Sequence, residues 1–197
     1  MRIILIVFVV VVALVLTALA GIFLYGRDNF WMLIAGPPSQ RPIEFSTLEL
    51  KATDNQYLVC PEDLCERAEP HRLADVYAVP AESLRRSLLE VIDDDPGSSL
   101  RMSGHAQSGH ASNLTSPRIV VDSTSGNTLR VVARTALMRF PDIISVDIIE
   151  VSQNRSTLAL YGRSQIGRSD LGVNKARIDR WLTGLAARLP IARRAPQ

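Results

Sequence analysis

The sequence predicts an α+β fold, an antiparallel β-sheet with helices packed on one face, preceded by a single N-terminal transmembrane helix. Three observations support this prediction. Residues 3–25 contain no charged side chain and form one apolar run. From residue 116 onward, apolar and polar residues alternate in four short segments, which is the period of β-strands. Two other segments repeat apolar residues at the spacing of an amphipathic helix.

The apolar run is long enough to cross a bilayer, because a helix of about 20 apolar residues spans the hydrocarbon core. Ala18-Leu19-Ala20 also fits a signal-peptidase site, but the apolar run continues past it, so we expect residues 1–27 to remain as an uncleaved anchor. The amino terminus and Arg2 precede the span, whereas Arg27 and Asp28 cancel after it. The positive-inside rule therefore predicts a single-pass protein of the cell inner membrane, with its C-terminal domain facing the periplasm.

Residues 28–42 are predicted to be an interfacial segment followed by a linker. Phe30 and Trp31 suit the headgroup level of the membrane, where an aromatic ring keeps one edge in water. Three prolines later in the segment exclude a helix there and indicate a fairly stiff connection. We therefore place the α+β domain at residues 43–190 and expect residues 191–197 to be a frayed basic tail.

Cys60 and Cys65 are the two cysteines of the chain, and in an oxidising compartment such a pair is expected to form a disulfide. A zinc site is the alternative, but it would need more ligands. His105 and His110 lie in a segment rich in Gly, Ser and His that is typical of a mobile loop, residues 98–116. We expect no metal and no cofactor, and we assign this loop no role.

The two amphipathic segments are the predicted helices of the domain. Pro80 opens the first, because proline suits the first turn of a helix, and the second begins at about Asn174. Each carries an apolar stripe on one face. The stripes consist of Leu84, Leu88, Val91 and Ile92 in the first helix and of Ile178, Trp181, Leu182, Leu185 and Leu189 in the second.

Four strands are predicted after the first of these helices. The connections between them are short, which favours antiparallel neighbours. In the second strand, Leu129, Val131 and Ala133 share one face, and Arg130 and Arg134 share the other. The predicted strands cover residues 118–122, 128–136, 143–151 and 157–163.

Charge is distributed unevenly along the chain. Residues 41–127 contain 8 Lys or Arg and 14 Asp or Glu, a net charge of −6, whereas residues 128–197 contain 12 and 5, a net charge of +7. We expect the halves to neutralise each other within one domain, and an anionic partner is the alternative. The carboxylates of Asp93 to Asp95, at the end of the first helix, are expected to be solvated; contact with a cation or with the basic half is the alternative. Nucleic acid is excluded as a partner, because aromatic residues are few and no binding motif occurs.

A loop rich in Gly, Ser and Arg leads from the last strand into the last helix. Backbone amides at a helix start can hold an anion, and the planar guanidinium group of arginine binds phosphate or carboxylate with two parallel bonds. We therefore predict an anion site formed by Arg134, Arg139, Arg163, Arg168, Ser169 and Gly172, with Asp142, Asp170 and Asn174 as structural partners. In the alternative interpretation, pairs such as Arg163 with Asp142 or Arg134 with Asp170 form a buried network without any ligand.

The sequence supports binding better than catalysis, and we assign no catalytic residue. No histidine follows His110, so Ser164 and Ser169 have no nearby candidate for a base. Neighbouring arginines would keep Asp142 and Asp170 ionised, which suits anchoring better than proton transfer. We expect a membrane-anchored domain that binds an anionic small molecule, a lipid headgroup or an envelope protein. A hydrolase acting on an anionic envelope substrate is the enzyme alternative.

Several short motifs stand out along the chain: Tyr57 to Cys65, Arg134-Thr135, Arg139-Phe140-Pro141-Asp142, Arg163-Ser164, Gly167, Ser169-Asp170, Gly172-Val173-Asn174 and Arg177. Together these motifs resemble the DUF1499 family, a family of domains of unknown function. The resemblance covers roughly residues 57–189, interrupted by the loop at 98–116. It implies an envelope-associated domain of bacterial or organellar type, and it supplies no reaction.

Overall fold

A computed structural model describes residues 2–38, 41–95, 119–136 and 138–196 of the chain. Within these ranges lie four α-helices, one short 3-10 turn (Phe45–Thr47) and eight β-strands. The helices are α1 (Arg2–Tyr25), α2 (Arg27–Ala35), α3 (Ala81–Asp93) and α4 (Val173–Arg188). The strands are β1 (Gln56–Cys60), β2 (Arg72–Leu73), β3 (Val76–Tyr77), β4 (Ile119–Ser125), β5 (Thr128–Arg134), β6 (Pro141–Ser152), β7 (Arg155–Ser164) and β8 (Ile191–Arg193). The histidine-rich loop at 98–116 lies outside the described residues.

The N-terminal apolar run forms a continuous helix, as predicted. By length and composition, Arg2–Ile22 is able to cross a membrane, a property that membrane anchors and signal sequences share. Gly26 separates α1 from α2, and its φ of 98° is one that glycine adopts without strain. The interfacial segment is thus a second helix that starts immediately after the apolar one.

The predicted α+β fold is confirmed, with a sheet that is mixed instead of wholly antiparallel. The strand order is β2-β1-β7-β6-β5-β4, and β3 pairs with both β7 and β8. Among the described pairs, β1 with β2 is parallel and the others are antiparallel. The four predicted strands correspond to β4 to β7. Strand β1 was not predicted, because all five of its residues are buried and no polar alternation marks it.

Both predicted helices pack on one face of the sheet. The apolar stripes of α3 and α4 join the inward residues of β5, including Leu129, Val131 and Ala133, in one core cluster. The sequence analysis placed these three residues on one face of the strand, and the structure agrees. Around β1 and β7, the opposite face is covered by a second cluster that includes Phe45, Leu58 and Tyr161.

The C-terminal segment is more ordered than the sequence indicates. Residues Ile191–Arg193 form β8, which pairs with β3, so the expectation of a frayed tail over 191–197 is wrong for this part. In addition, the backbone N–H of Ala195 donates to Asp75 Oδ1 at 2.7 Å. The partners of this segment, β3 and Asp75, lie more than 100 residues earlier in the chain. Local sequence patterns therefore carry no information about these contacts.

The acidic end of α3 contacts the basic half of the chain, and the expectation of solvated carboxylates is wrong for Asp95. Asp95 is 8% exposed and accepts a hydrogen bond from Trp181 Nε1 at 2.7 Å. Arg180 lies 3.2 Å from the same carboxylate, and Arg188 lies 2.5 Å from Asp94. These contacts join α3 to α4 and neutralise charge between the two halves, as expected from their opposite signs.

Gly162 of β7 is the point where the sheet and α4 approach most tightly among the glycines described. A Cβ atom there would lie 2.9 Å from Ile178 Cδ1 and 3.1 Å from Asn174 Oδ1. We therefore expect Gly162→Ala to lower the free energy of unfolding by about 1–3 kcal/mol, the usual cost of overpacking, in chemical denaturation. Gly21→Ala is the matched control, because a Cβ at that site in α1 meets nothing within 4 Å. Equal unfolding midpoints for the two variants would contradict the close approach.

Candidate functional site

Most of the residues singled out in the sequence meet at one end of the sheet. Strand register pairs Arg134 with Pro141, Asp142 with Ser164, and Gln56 with Arg163. The turn between β5 and β6 and the loop after β7 extend from this end. We call it the α2 end of the sheet, because α2 docks against it through contacts described below.

A buried network links β6, β7 and α4 at the α2 end. Asp142 is 1% exposed, and its Oδ2 accepts a hydrogen bond from Arg177 Nη2 at 3.1 Å. Its Oδ1 accepts a hydrogen bond from Ser164 Oγ at 2.5 Å. Arg177 Nη1 donates in turn to Asn174 Oδ1, and Asn174 Nδ2 donates to Ser164 Oγ. The four side chains form a closed ring of hydrogen bonds around one ion pair.

This network is the structural alternative considered for the sequence, with a different arginine. The expected partner of Asp142 was Arg163, whereas the observed partner is Arg177, which the helical turn after Asn174 brings under the sheet. Burial raises the pKa of Asp142, and the Arg177 charge and the hydrogen bond from Ser164 oppose this rise. The carboxylate is therefore held by partners inside the domain.

Asp170 occupies the position where an external anion was predicted. Its Oδ1 accepts a hydrogen bond from the backbone N–H of Gly172, and its Oδ2 accepts from the backbone N–H and Nδ2 of Asn174. Ser169 Oγ accepts from the N–H of Leu171. The free amides at the start of α4 are thus satisfied by the chain's own carboxylate, which acts as a helix cap. Ser169 and Gly172 shape this turn, and the expected Arg134–Asp170 pair is not among the described ion pairs.

Arg139 and Arg134 bind a carboxylate that comes from outside the predicted domain. Asp28 of α2 accepts two hydrogen bonds from Arg139, at 2.5 Å from Nε and 2.8 Å from Nη2. Arg134 Nε lies 3.5 Å from the same carboxylate. The Arg139 side chain is 4% exposed, and its φ of 58° is unusual for a residue other than glycine. Burial lowers the pKa of Arg134, which the charge of Asp28 opposes.

Two further contacts hold α2 against the domain. Trp31 Nε1 donates to the carbonyl oxygen of Met138 at 2.6 Å, and its ring centroid lies 4.5 Å from that of Phe140. At the other end of α2, Gln165 Nε2 donates to the carbonyl oxygens of Ala35 and Pro37. The motif Arg139-Phe140-Pro141-Asp142 therefore connects α2 on one side with the α4 network on the other.

Arg163 lies in a pocket of about 120 Å³ beside these contacts. Lys51 lines the same pocket, and among the described residues no carboxylate pairs with either cation. Burial raises the pKa of the Tyr161 hydroxyl next to Arg163, and the arginine charge opposes the rise. The remaining lining consists of Thr53, Asn55, Gln56, Ser164, Gln165 and Gly167.

Side chains that the sequence analysis missed shape this pocket. Gln56 Oε1 accepts from Tyr161 OH at 2.7 Å, and its Nε2 donates to the carbonyl oxygen of Lys51 at 2.5 Å. Asn55 Nδ2 donates to the carbonyl oxygen of Gly167 at 2.6 Å. These amides fix the loops on both sides of Arg163, so the pocket walls are set before any ligand enters. The signal that the sequence offered for these side chains was the adjacent amide residues Asn55 and Gln56 at the start of β1.

A second cavity, of about 200 Å³, lies between Arg134, Arg177 and Arg180, with Asp95 at its edge. Each of these arginines already pairs with an aspartate, namely Asp28, Asp142 and Asp95 in that order. Its positive charge is therefore balanced from within. The exposed Arg168 lines neither cavity.

Cys60 and Cys65 form a disulfide in the structure, at the end of β1. In the ranges that the structure describes, no group of three or more His, Cys, Asp or Glu side chains is arranged to hold a metal ion. His105 and His110 lie outside those ranges.

Together these features define a class of protein: an α+β domain after one apolar N-terminal helix, with arginine–aspartate networks where the sheet meets that helix. Within this class, the chain belongs to the DUF1499 family, described as a protein of unknown function, whose model matches residues 37–185. The match confirms the resemblance of the motifs. No curated protein and no solved structure matches the chain. Asp28 and Trp31 precede the matched region, so α2 contacts the domain through residues outside the family match.

Proposed function

We propose that the protein is a single-pass protein of the cell inner membrane whose envelope-associated periplasmic domain binds an anionic group in the Arg163 pocket. The ligand is the phosphate of a lipid headgroup or of a small envelope molecule. One observation carries this proposal. Arg163 and Lys51 line one pocket, and no carboxylate in the described part of the chain neutralises them.

The physical argument rests on the contrast between Arg163 and the other buried arginines. Arg139 and Arg177 each have an aspartate of this chain within 3.1 Å or less. Arg163 is half-buried and lies beside Lys51 in a preformed pocket. Among the described residues no carboxylate pairs with the half-buried guanidinium group of Arg163, and an anion would supply it with charge-assisted hydrogen bonds.

The membrane and periplasmic parts of the proposal have separate support. Apolar α1 continues to Tyr25, and α2 follows it directly and docks on the domain, which favours an anchor over a cleaved signal sequence. The disulfide between Cys60 and Cys65 suits an oxidising compartment. Arg2 precedes the span, and Arg27 and Asp28 cancel after it, so the positive-inside rule also favours a periplasmic C-terminal domain.

The test uses the full chain in a neutral detergent, with phosphatidylglycerol and inorganic phosphate as separate probes in native mass spectrometry. We expect one saturable adduct on the wild type and an affinity about 10–100-fold lower for Arg163→Ala, the loss that follows from removing one charged hydrogen-bond partner. An adduct of the lipid alone identifies a headgroup site, and an adduct of both probes identifies a small-anion site.

Arg168→Ala is the matched control, because Arg168 follows the same strand but is exposed and does not line the pocket. Both variants should unfold cooperatively with the wild-type midpoint. If neither probe binds the wild type, or if Arg168→Ala weakens binding as much as Arg163→Ala, the pocket is not an anion site.

Hydrolysis of an anionic envelope substrate is the second candidate, and one contact favours it. Ser164 lines the Arg163 pocket and donates a hydrogen bond to Asp142, so Asp142 is placed to accept the hydroxyl proton, and burial raises the pKa of this carboxyl group. Asp170 has no such role, because both of its oxygens cap α4. This candidate requires that the phosphatidylglycerol sample gain a cleavage product over time, and that Ser164→Ala abolish the product while the adduct remains.

A further inference from the structure

The side of α2 that faces away from the domain is apolar and exposed. Asp28 and Trp31 face the domain, where they bind Arg139 and Phe140. Leu33 and Ile34 are exposed by 75% and 60%. An amphipathic helix normally buries its apolar side against its own domain, whereas α2 uses its polar and aromatic side for docking and leaves the apolar side outward.

Leu171 is a second exposed apolar residue at the α2 end of the sheet. It is 94% exposed, and its backbone has a φ of 54°, in the left-handed region that leucine seldom adopts. The loop that carries it starts at β7, where Gln165 binds the carbonyl oxygens at the end of α2. The capping bonds of Asp170 then hold the turn in place. The exposed position of Leu171 is therefore built into the loop.

A lipid surface is the partner that fits these residues, since they continue the apolar surface of α1. Gly26 alone separates α1 from α2, so α2 starts at the depth where the apolar run leaves the hydrocarbon core. An interfacial helix buries its apolar face about 5–10 Å into the boundary between headgroups and acyl chains. Arg163 and Lys51 lie at the same end of the sheet, and cations suit contact with anionic headgroups.

We propose that the outward face of α2, together with Leu171, inserts into the interface of the bilayer that holds α1, and so seats the α2 end of the sheet on the membrane surface. We call these residues, Leu33, Ile34 and Leu171, the lipid seat. The inference rests on the anchor in the proposed function but not on the Arg163 pocket. It deepens that function, because the pocket opens at headgroup level when the domain is seated.

The experiment uses the full chain in nanodiscs of phosphatidylcholine and phosphatidylglycerol. Cys60 and Cys65 are bonded to each other, so a single introduced cysteine is the one thiol that reacts with an NBD fluorophore. The labelled positions are Leu33→Cys, Leu171→Cys and, as the matched control, Val151→Cys. Val151 is 54% exposed at the turn that ends β6, about 30 Å along the strand from the α2 end.

We expect doxyl groups on lipid acyl chains to quench the labels at 33 and 171 several-fold more than the label at 151. Iodide in the buffer should quench in the opposite order. A label at 33 or at 171 that behaves like the label at 151 overturns the lipid seat. Binding of phosphatidylglycerol to the Arg163 pocket is a separate measurement, so either proposal can fail alone. The intact mass of the purified protein reports the anchor: loss of the residues up to the Ala18-Leu19-Ala20 site would overturn both the anchor and the seat.

Discussion

Arg177→Met is expected to lower the free energy of unfolding by about 3–5 kcal/mol, the cost of leaving one member of a buried ion pair alone. The side chain is 6% exposed and that of Asp142 is 1% exposed, so solvent cannot replace the lost partner. Methionine keeps the length of the aliphatic part and removes the charge and its hydrogen bonds. Urea denaturation of the purified protein, followed by the fluorescence of the buried Trp181, measures the change.

Lys175→Met supplies the control on the same helix. Lys175 pairs with Asp179 at 2.6 Å, but its side chain is 61% exposed, and exposed pairs of this kind contribute about 0.3–0.5 kcal/mol. A second variant, Asp142→Asn, and the double variant complete a thermodynamic cycle. The double variant should be much less costly than the sum of the two single changes, because the two side chains interact directly. If Arg177→Met costs no more than Lys175→Met, the network does not stabilise the fold.

Asp28→Asn is expected to release α2 from the domain without unfolding the sheet. Asparagine keeps the shape of the side chain but leaves the buried charge of Arg139 without its carboxylate. A fully buried pair would cost about 3–5 kcal/mol; because Asp28 is 23% exposed, we expect about 2–3 kcal/mol, which raises the undocked population by one to two orders of magnitude. Hydrogen exchange of the α2 amides, such as that of Phe30, measures this release.

Asp63→Asn is the matched control, since Asp63 is exposed in the disulfide loop and far from α2 in sequence. Exchange in β6 should stay at the wild-type rate in both variants, because the sheet core does not depend on α2. Unchanged exchange of α2 in Asp28→Asn would show that Trp31 and Gln165 suffice to hold the helix. Faster exchange throughout β6 would show instead that α2 and the sheet unfold as one unit.

The elements with strong local periodicity were predictable from the sequence. The apolar run of α1, the stripes of α3 and α4, and the alternation in β4 to β7 each reflect how a regular backbone presents its side chains. The helix α2 and four strands were not predicted: β1, which is buried on both sides, the two-residue strands β2 and β3, and β8, which depends on a partner far away in sequence. Short strands without alternation carry no local signal for their conformation.

The sequence indicated which arginines and aspartates lie near one another, but not how they pair. Arg134, Arg139, Asp142, Arg163 and Asp170 do meet at one end of the sheet. The pairing of Asp142 with Arg177, and of Asp28 with Arg139, followed from no spacing in the sequence. The prediction also treated the amides before α4 as open to a ligand, whereas Asp170 fills them. Arg163 is the predicted residue whose pocket contains no carboxylate from the part of the chain that the structure describes.

By itself, the sequence determined that this chain has an apolar N-terminal helix, an α+β domain of the DUF1499 family and an arginine-rich set of loops at one end of its sheet. Local periodicity and short motifs are sufficient for this, since each involves residues that are neighbours along the chain. Only the tertiary structure decided which arginine meets which aspartate. A long arginine side chain can reach several carboxylates, so strand register and the docking of α2 and α4 make the choice. The same contacts leave Arg163 in a pocket where no carboxylate of the described residues pairs with it.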